Sequence, residues 1–498
     1  MRSISRLLSL MPAVAIVLPV GAGEVNGTLA VDPARIAGAD ELGRVMLYAP
    51  DPLEPGSSMS HWDISATPDL LMEPFASPAL ALGEVDLTLP HFRDIGWPLG
   101  TSIITLRIID AEDVGFNDPT EVAEAPDNPG GATLGGQRLA ALQWVAGVWA
   151  SKLGSAIEIN IETSFDELGC GPNREDGATL AAAGAQFLFF DFPNAPRRGT
   201  WYHGALAESL AGEDLSSTED QYPPEAGELV VTFNSGIDEG CLDPDFRYYY
   251  GLDGNTPPGQ VSFANVALHE IGHGLGFSNF VNDATGSPPV FTGIPPMPDI
   301  YSVYTFDRDA ELHWSEMTNT QRRASAVNTN RVVWDGPQTI NAAPTFLDNA
   351  PFFSVNSPGS IEGSYAVQVA EFGPPIDLTG VSGNLAMVAD GSENSTLGCE
   401  SLINGNEISG NIAVVDRGEC YFSEKVKNAQ IAGAVAVLVV NNEPTGLPPM
   451  GGDDETITIP SAGISQSDGD VIKAALEARS IVIRRGGLRV TPTGAVAP

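Results

Sequence analysis

The chain has 498 residues, 43% of them hydrophobic, with 64 acidic against 24 basic side chains and a formal net charge of −40. A chain of that length can bury a large core and suits two or more domains. The acidic balance argues against electrostatic binding to nucleic acid or to anionic membranes, and reads as the solvated surface of a soluble protein.

At the start, Arg2 and Arg6 precede an apolar stretch from Leu7 to Val20, followed by the small residues Gly21, Ala22 and Gly23. Residues 1–22 therefore read as a secretory signal peptide, and the chain is expected to be secreted, extracellular or periplasmic. The run is too short for a membrane anchor, and no later stretch reaches the roughly 18 apolar residues a span needs. In an exported chain the four cysteines are expected to pair. Cys170 and Cys241 lie in one region, Cys399 and Cys420 in another, so two bridges within those regions are the economical arrangement.

Residues 44–48 suit a short strand. Residues 85–97 suit a short helix with Leu87, Leu89, Phe92 and Ile95 on its apolar side. The β-branched run at 102–109 predicts a strand. An acidic loop over 110–129 follows. Residues 133–153 predict a long amphipathic helix, because Leu139, Leu142, Val145, Ala146 and Trp149 recur near the helical period. Strands are expected at 156–161, 186–192 and 229–233, and a further helix at 312–326. From about 355 the texture changes to short strands and turns. The fold class is α+β.

The chemistry concentrates in residues 261–280. His269-Glu270-Ile271-Gly272-His273 is an H-E-x-x-H pattern. On a helix the two histidines are four apart and project from one face, so two imidazoles can share one zinc ion. Glu270 then stands beside the metal as general base for a bound water. The plainer alternative is a buried polar helix whose histidines are satisfied by neighbours. The glycines at 272, 274 and 276 favour a helix stop and a sharp turn. Two ligands are too few for a catalytic site, which usually has three plus water.

H-E-x-x-H-x-x-G resembles the start of the metzincin signature, but Asn279 stands where that signature has a third His or Asp. The stretch resembles the leishmanolysin-like metzincins, in which the third ligand lies far away in a Ser-His-Trp segment. A Leu-Met-x-Pro Met-turn and an Asp-x-Gly-aromatic helix end follow it. This chain carries Ser60-His61-Trp62, Leu71-Met72-Glu73-Pro74 and Asp94-Ile95-Gly96-Trp97. They precede the H-E-x-x-H helix, whereas the family places them after it, so the order looks like a circular permutation. The resemblance implies one catalytic zinc held by His269, His273 and His61, with Glu270 as catalytic base and Met72 as the Met-turn. His313 and the aspartates Asp283, Asp299 and Asp307 remain rivals for the third place. His91 and His203 read as structural or exposed.

Residues 410–442 resemble the protease-associated domain through Asp416, Arg417, Gly418, Cys420, Phe422, Lys425, Asn428, Ala429, Gly433 and Ala434. The likeness runs from about 364 to 484. Within it, strands are expected at 412–415 and 434–440 and a helix at 425–432. Such domains are thought to bind peptides or gate an active site, and are not catalytic. The implied organisation is a signal at 1–22, a Met-turn and third-ligand segment at 23–98 and a metzincin-like catalytic domain at 99–354. An α/β protease-associated domain at 355–490 and a tail at 491–498 complete it. The catalytic part is expected to be a twisted mixed sheet with the zinc helix plus a Met-turn subdomain. The implied function is a secreted zinc endopeptidase acting on protein or peptide, with no nucleic-acid partner. The alternative is a non-catalytic secreted peptide-binding protein with a structural or vacant zinc site. Calcium has no EF-hand loop to support it.

Overall fold

The structure is a computed structural model that describes residues 24–170, 178–216, 226–242, 246–376, 379–444 and 446–485. The signal segment expected at 1–22 and the tail at 491–498 lie outside the described residues. The chain divides into two compact units: 32–350, and 351 onward together with the segment that ends at Val31. The expectation drew the division at 354/355 and put the N-terminal strand with the larger part.

The larger unit is built on a four-stranded sheet in the order Ile104–Ile108, Ile159–Asp166, Leu229–Asn234, Ala181–Ala185. The first three strands are parallel and the last is antiparallel, with Ala181 opposite Phe233. Ile159, Ile161, Leu229, Val231 and Phe233 are buried, every second residue along their strands, so one face meets the helical layer. Helix Leu134–Ala150 starts where the Thr133 hydroxyl accepts the Gly136 N–H at 3.3 Å, and buries Leu142, Val145, Ala146 and Trp149. Helix Phe263–Leu275 starts in the same way, with Ser262 Oγ accepting the Asn265 N–H at 3.2 Å. It stops at Gly276, whose φ of 140° is open to glycine and rarely to other residues. Gly274 lets this helix lie close to the sheet, since a Cβ there would stand 2.5 Å from Leu229 Cδ1.

Three elements differ from the sequence expectation for local reasons. The strand expected at 156–161 begins only at Ile159, because Ser155 Oγ bonds both the carbonyl and the N–H of Ile157 and holds a turn there. Of residues 186–192 only Leu188–Phe189 pairs, with Tyr202–His203. The sheet strand is the alanine-rich Ala181–Ala185, whose weak intrinsic β preference is overridden by its ladder and by burial. Residues 312–326 split into a bridge at Leu312–His313 and a helix at Asn319–Ser325. The helix start is fixed by a reciprocal cap, Thr318 N–H to Gln321 Oε1 at 3.0 Å and Gln321 N–H to Thr318 Oγ1 at 3.4 Å.

The rest of the larger unit holds helix Thr88–Ile95 and a three-stranded sheet of Leu312–His313, Thr305–Asp307 and Val332–Trp334. Asp94 ties these together. It accepts from Trp334 Nε1 at 3.0 Å and from the Gln338 and Thr339 N–H groups at 2.7 and 3.1 Å, capping helix Pro337–Phe346. Backbone bridges Met46↔Val333 and Leu47↔Trp62 add the 45–63 segment to the same body.

The smaller unit is a closed barrel of seven strands. Its order is Asn26–Ile36, Asn349–Ser357, Gly363–Val369, Ser461–Ile464, Ala436–Val440, Ile412–Asp416, Val381–Met387. The last four run parallel, and Asn26–Ile36 with Val381–Met387, Asn349–Ser357 with Gly363–Val369 and Gly363–Val369 with Ser461–Ile464 pair antiparallel. Ala436–Val440 is buried throughout, as a strand covered on both faces must be. Helix Phe422–Ile431 buries Val426 and Ala429. Closure leaves no free sheet edge. The two expected disulfides are formed, Cys170–Cys241 and Cys399–Cys420.

Candidate metal centre

Three histidines from two segments of the larger unit meet at one point. His269 and His273 face the same way from helix Phe263–Leu275. His61 comes from the turn-rich segment whose backbone is fixed by Tyr48 N–H to His61 O at 2.9 Å and Trp62 N–H to Met72 O at 2.8 Å. The three Nε2 atoms stand 3.2 Å (His61 to His269), 3.2 Å (His61 to His273) and 3.0 Å (His269 to His273) apart. Among the described residues this is the one cluster of three or more His, Cys, Asp or Glu side chains with metal-holding spacing.

The other nitrogen of each ring decides what the cluster can do. His61 Nδ1 lies 2.7 Å from Ser57 O, His269 Nδ1 2.7 Å from Leu71 O, and His273 Nδ1 2.7 Å from Phe277 O. A carbonyl only accepts, so each Nδ1 carries the proton and each Nε2 keeps its lone pair. Burial lowers His61 to about 3 and His269 to about 4, and drives His273 well below the usual range, so the rings are neutral. Three lone pairs converging within 3.2 Å repel one another unless a cation lies between them. A tetrahedral zinc with bonds of about 2.0–2.1 Å sets its ligand atoms about 3.3–3.4 Å apart. The donor set fits that ion in chemistry and in spacing.

Met72 is fully buried under the helix. A Cβ on Gly272 would come within 2.9 Å of Met72 Sδ, so the methionine fills the space that the glycine leaves. Glu270 is buried on the same helix and borders the cleft onto which all three histidines open. Burial pushes its carboxyl up to about 8. The cleft has a volume of ≈ 1680 Å³. Its walls include the edge strand Ala181–Ala185, the aromatic residues Phe189, Trp201 and Phe291, and Glu73 of the Met72 turn.

Of the rival ligands, Asp299, Asp307 and His313 are engaged elsewhere, and Asp283 stands apart from the cluster. Asn279 places its amide nitrogen 3.5 Å from Ser60 Oγ and accepts the Val281 N–H at 2.7 Å, so it braces the loop beside His61. Asp299 caps helix Ile300–Tyr304 by accepting the Ser302 N–H at 2.7 Å. Asp307 accepts the N–H groups of Asp309 and Ala310, each at 2.9 Å, and closes a turn. His313 pairs with Asp335 at 3.0 Å. Asp283 is half-buried and outside the cluster. His91 and His203 are both fully buried, His91 stacked on Phe277 at 4.2 Å and tilted against Trp334 at 3.9 Å between ring centroids. The supporting carbonyls of Ser57, Leu71 and Phe277 escape sequence reasoning because every residue has one. Trp97 Nε1, which donates to Leu275 O at 2.8 Å and pins the helix end, sits in the Asp-x-Gly-aromatic segment that did signal it.

In the smaller unit, the parallel strands, the helix Phe422–Ile431 and the Cys399–Cys420 bridge fall within the stretch that a known family model matches. Residues 381–472 are a PA domain. The PA domain is the protease-associated domain anticipated from Asp416 to Ala434. Over 161 residues the chain is 35% identical to vacuolar-sorting receptor 2 of Arabidopsis thaliana, covering 29% of this chain and 25% of that protein. It is 32% identical over 118 residues to ER degradation-enhancing alpha-mannosidase-like protein 3 of Xenopus laevis, covering 22% of this chain and 12% of the relative. The chain thus spans a quarter or less of the length of these two relatives. A solved zinc aminopeptidase from Bacillus subtilis matches with 26% identity over 22% of this chain and 26% of its own, at a TM-score of 0.19. That score is too low to carry a fold argument. No helix among the described residues is long and apolar enough to cross a membrane.

Proposed function

We propose that the protein is a secreted, zinc-dependent endopeptidase of the leishmanolysin-like metzincin type in circularly permuted order, with an appended PA domain. The observation that carries this reading is the set of three neutral imidazoles whose Nε2 lone pairs converge 3.0–3.2 Å apart beside a buried glutamate. His61, His269 and His273 hold the zinc. When bound, zinc supplies Lewis acidity, polarising a carbonyl and making water acidic near neutral pH. Glu270 accepts the proton of the attacking water and returns it to the leaving amine nitrogen. The substrate backbone pairs with the open edge of Ala181–Ala185, whose inner edge is taken by Leu229–Asn234. Domain limits near 98 and 354, export by residues 1–22 and a Met-turn role for Met72 belong to the same proposal.

A second reading is favoured by the vacuolar-sorting receptors among the relatives. In it the PA domain binds peptide or protein cargo and the zinc site is structural. Digests of unfolded casein by wild type and Glu270→Gln, with zinc measured on the same samples, separate the two. The endopeptidase reading expects internal cleavages that fall by about 10²–10⁴-fold in the variant while zinc is retained. Full zinc with no cleavage by wild type moves the assignment to the binding protein.

A further inference from the structure

The Met72 turn is clamped by a carboxylate that lies outside every sequence motif. Asp86 is buried, and its two oxygens reach in different directions. Oδ2 accepts the Leu71 N–H at 2.5 Å. Oδ1 accepts the Thr88 N–H at 3.1 Å and the Thr88 hydroxyl at 3.0 Å, at the start of helix Thr88–Ile95. Asp86 itself stands at φ 27°, where a residue with a Cβ stays only if its surroundings hold it. The Leu71 carbonyl is the group 2.7 Å from His269 Nδ1. One residue therefore connects Asp86 to a ligand ring: its N–H donates to the carboxylate and its C=O accepts the hydrogen bond of the imidazole Nδ1–H. The turn has a second clamp in Glu73, whose Oε1 accepts the Leu70 N–H at 2.9 Å while its own N–H returns to Leu70 O at 3.1 Å. That clamp is internal to the turn. Asp86 ties the Leu71 N–H to the start of helix Thr88–Ile95.

We infer that Asp86 is a positioning residue for the metal centre: through the Leu71 peptide it aims the His269 ring and fixes its tautomer. This inference rests on the zinc-site reading above. A hydrogen bond to an ionised acceptor is shorter and stronger than one between neutral groups, so the carboxylate sets the Leu71 peptide firmly. Loss of a group that orients a ligating histidine lowers metal affinity by about 10–100-fold. The chain's own second point of support, Thr88, keeps the carboxylate from rotating away from Leu71.

The test is zinc affinity, by competition with a chromogenic chelator, of the full mature chain as wild type, Asp86→Ala and Asp86→Asn. The nitrogen-15 NMR shifts of the His269 ring report its tautomer in the same proteins. The expectation is affinity about 10–100-fold weaker in Asp86→Ala, with a mixed His269 tautomer. Asp86→Asn, which keeps an oxygen for Leu71 but loses the charge, falls between it and wild type. Asp86→Ala binding zinc within about twofold of wild type, with an unchanged tautomer, overturns the inference and leaves the zinc site standing. If Asp86→Ala does not fold, Asp86→Asn decides, and affinity and tautomer equal to wild type overturn the inference. Wild type without zinc overturns both the inference and the site on which it rests.

Discussion

The imidazole nitrogens that face away from the cluster do as much to define it as those that face in. Each Nδ1–H is committed to a backbone carbonyl at 2.7 Å, and that commitment converts three ordinary histidines into three donors. His269 and His273 are legible in the sequence because two histidines four apart share a helix face. Ser57, Leu71 and Phe277 are not legible, since a carbonyl has no residue signature. Glu208 gives a separate test at this scale. Burial and the neighbouring Glu228 push its carboxyl up to about 7, from 4.5, although Oε1 accepts the Leu215 and Ser216 N–H groups at 3.1 Å each. Its second oxygen, Oε2, is buried and has no partner among the described residues. The folded state therefore binds this proton more tightly than the unfolded state. The stabilisation is full below pH 4.5 and is lost as the pH rises through about 7. Glu208→Gln is expected to remove that slope, so its melting temperature should change less than that of wild type between pH 4.5 and 8. Equal slopes would show that Glu208 is not the group responsible.

At the level of elements, the helix Phe263–Leu275 is held at its start by Ser262, at its end by Gly276 and Trp97, and from the sheet side by close approach at Gly274. Gly274→Ala would bring a Cβ to 2.5 Å from Leu229 Cδ1 and 3.0 Å from its Cβ, on a strand that cannot retreat without breaking its ladder. Overpacking of this kind costs about 1–3 kcal/mol, read as a lower midpoint in urea unfolding. A midpoint unchanged from wild type would mean that the helix stands further from the sheet. The helices at 134–150 and 263–275 and the parallel strands were readable from period and β-branched runs. The edge strand Ala181–Ala185 was not, because alanine carries no β signal and its strand exists through pairing with Leu229–Asn234. The barrel was half legible. The motif from Asp416 to Ala434 marks the PA domain, but nothing local tells Asn26–Ile36 to pair with Val381–Met387, some 350 residues away.

For the molecule as a whole, the decisive feature is chain order. His61 reaches His269 and His273 across more than 200 residues of sequence. Coordination needs three imidazoles within reach of one ion and is indifferent to the order in which the chain supplies them. In the proposed permuted reading, the segment of residues 60–97 can precede the helix provided that its own anchors travel with it. They do: Met72 lies under Gly272, Trp97 holds Leu275 O, and Asp94 caps helix Pro337–Phe346. The PA domain at 381–472 carries no part of this cluster. The proposal turns on His61 completing a zinc site with His269 and His273 from a distant part of the sequence. It is tested most directly by the zinc content per chain of purified mature protein, for wild type and His61→Ala, with casein hydrolysis on the same samples. The account predicts about one tightly held zinc and measurable hydrolysis in wild type, with both lost in His61→Ala. Zinc absent from wild type, or retained in full by His61→Ala, would contradict it.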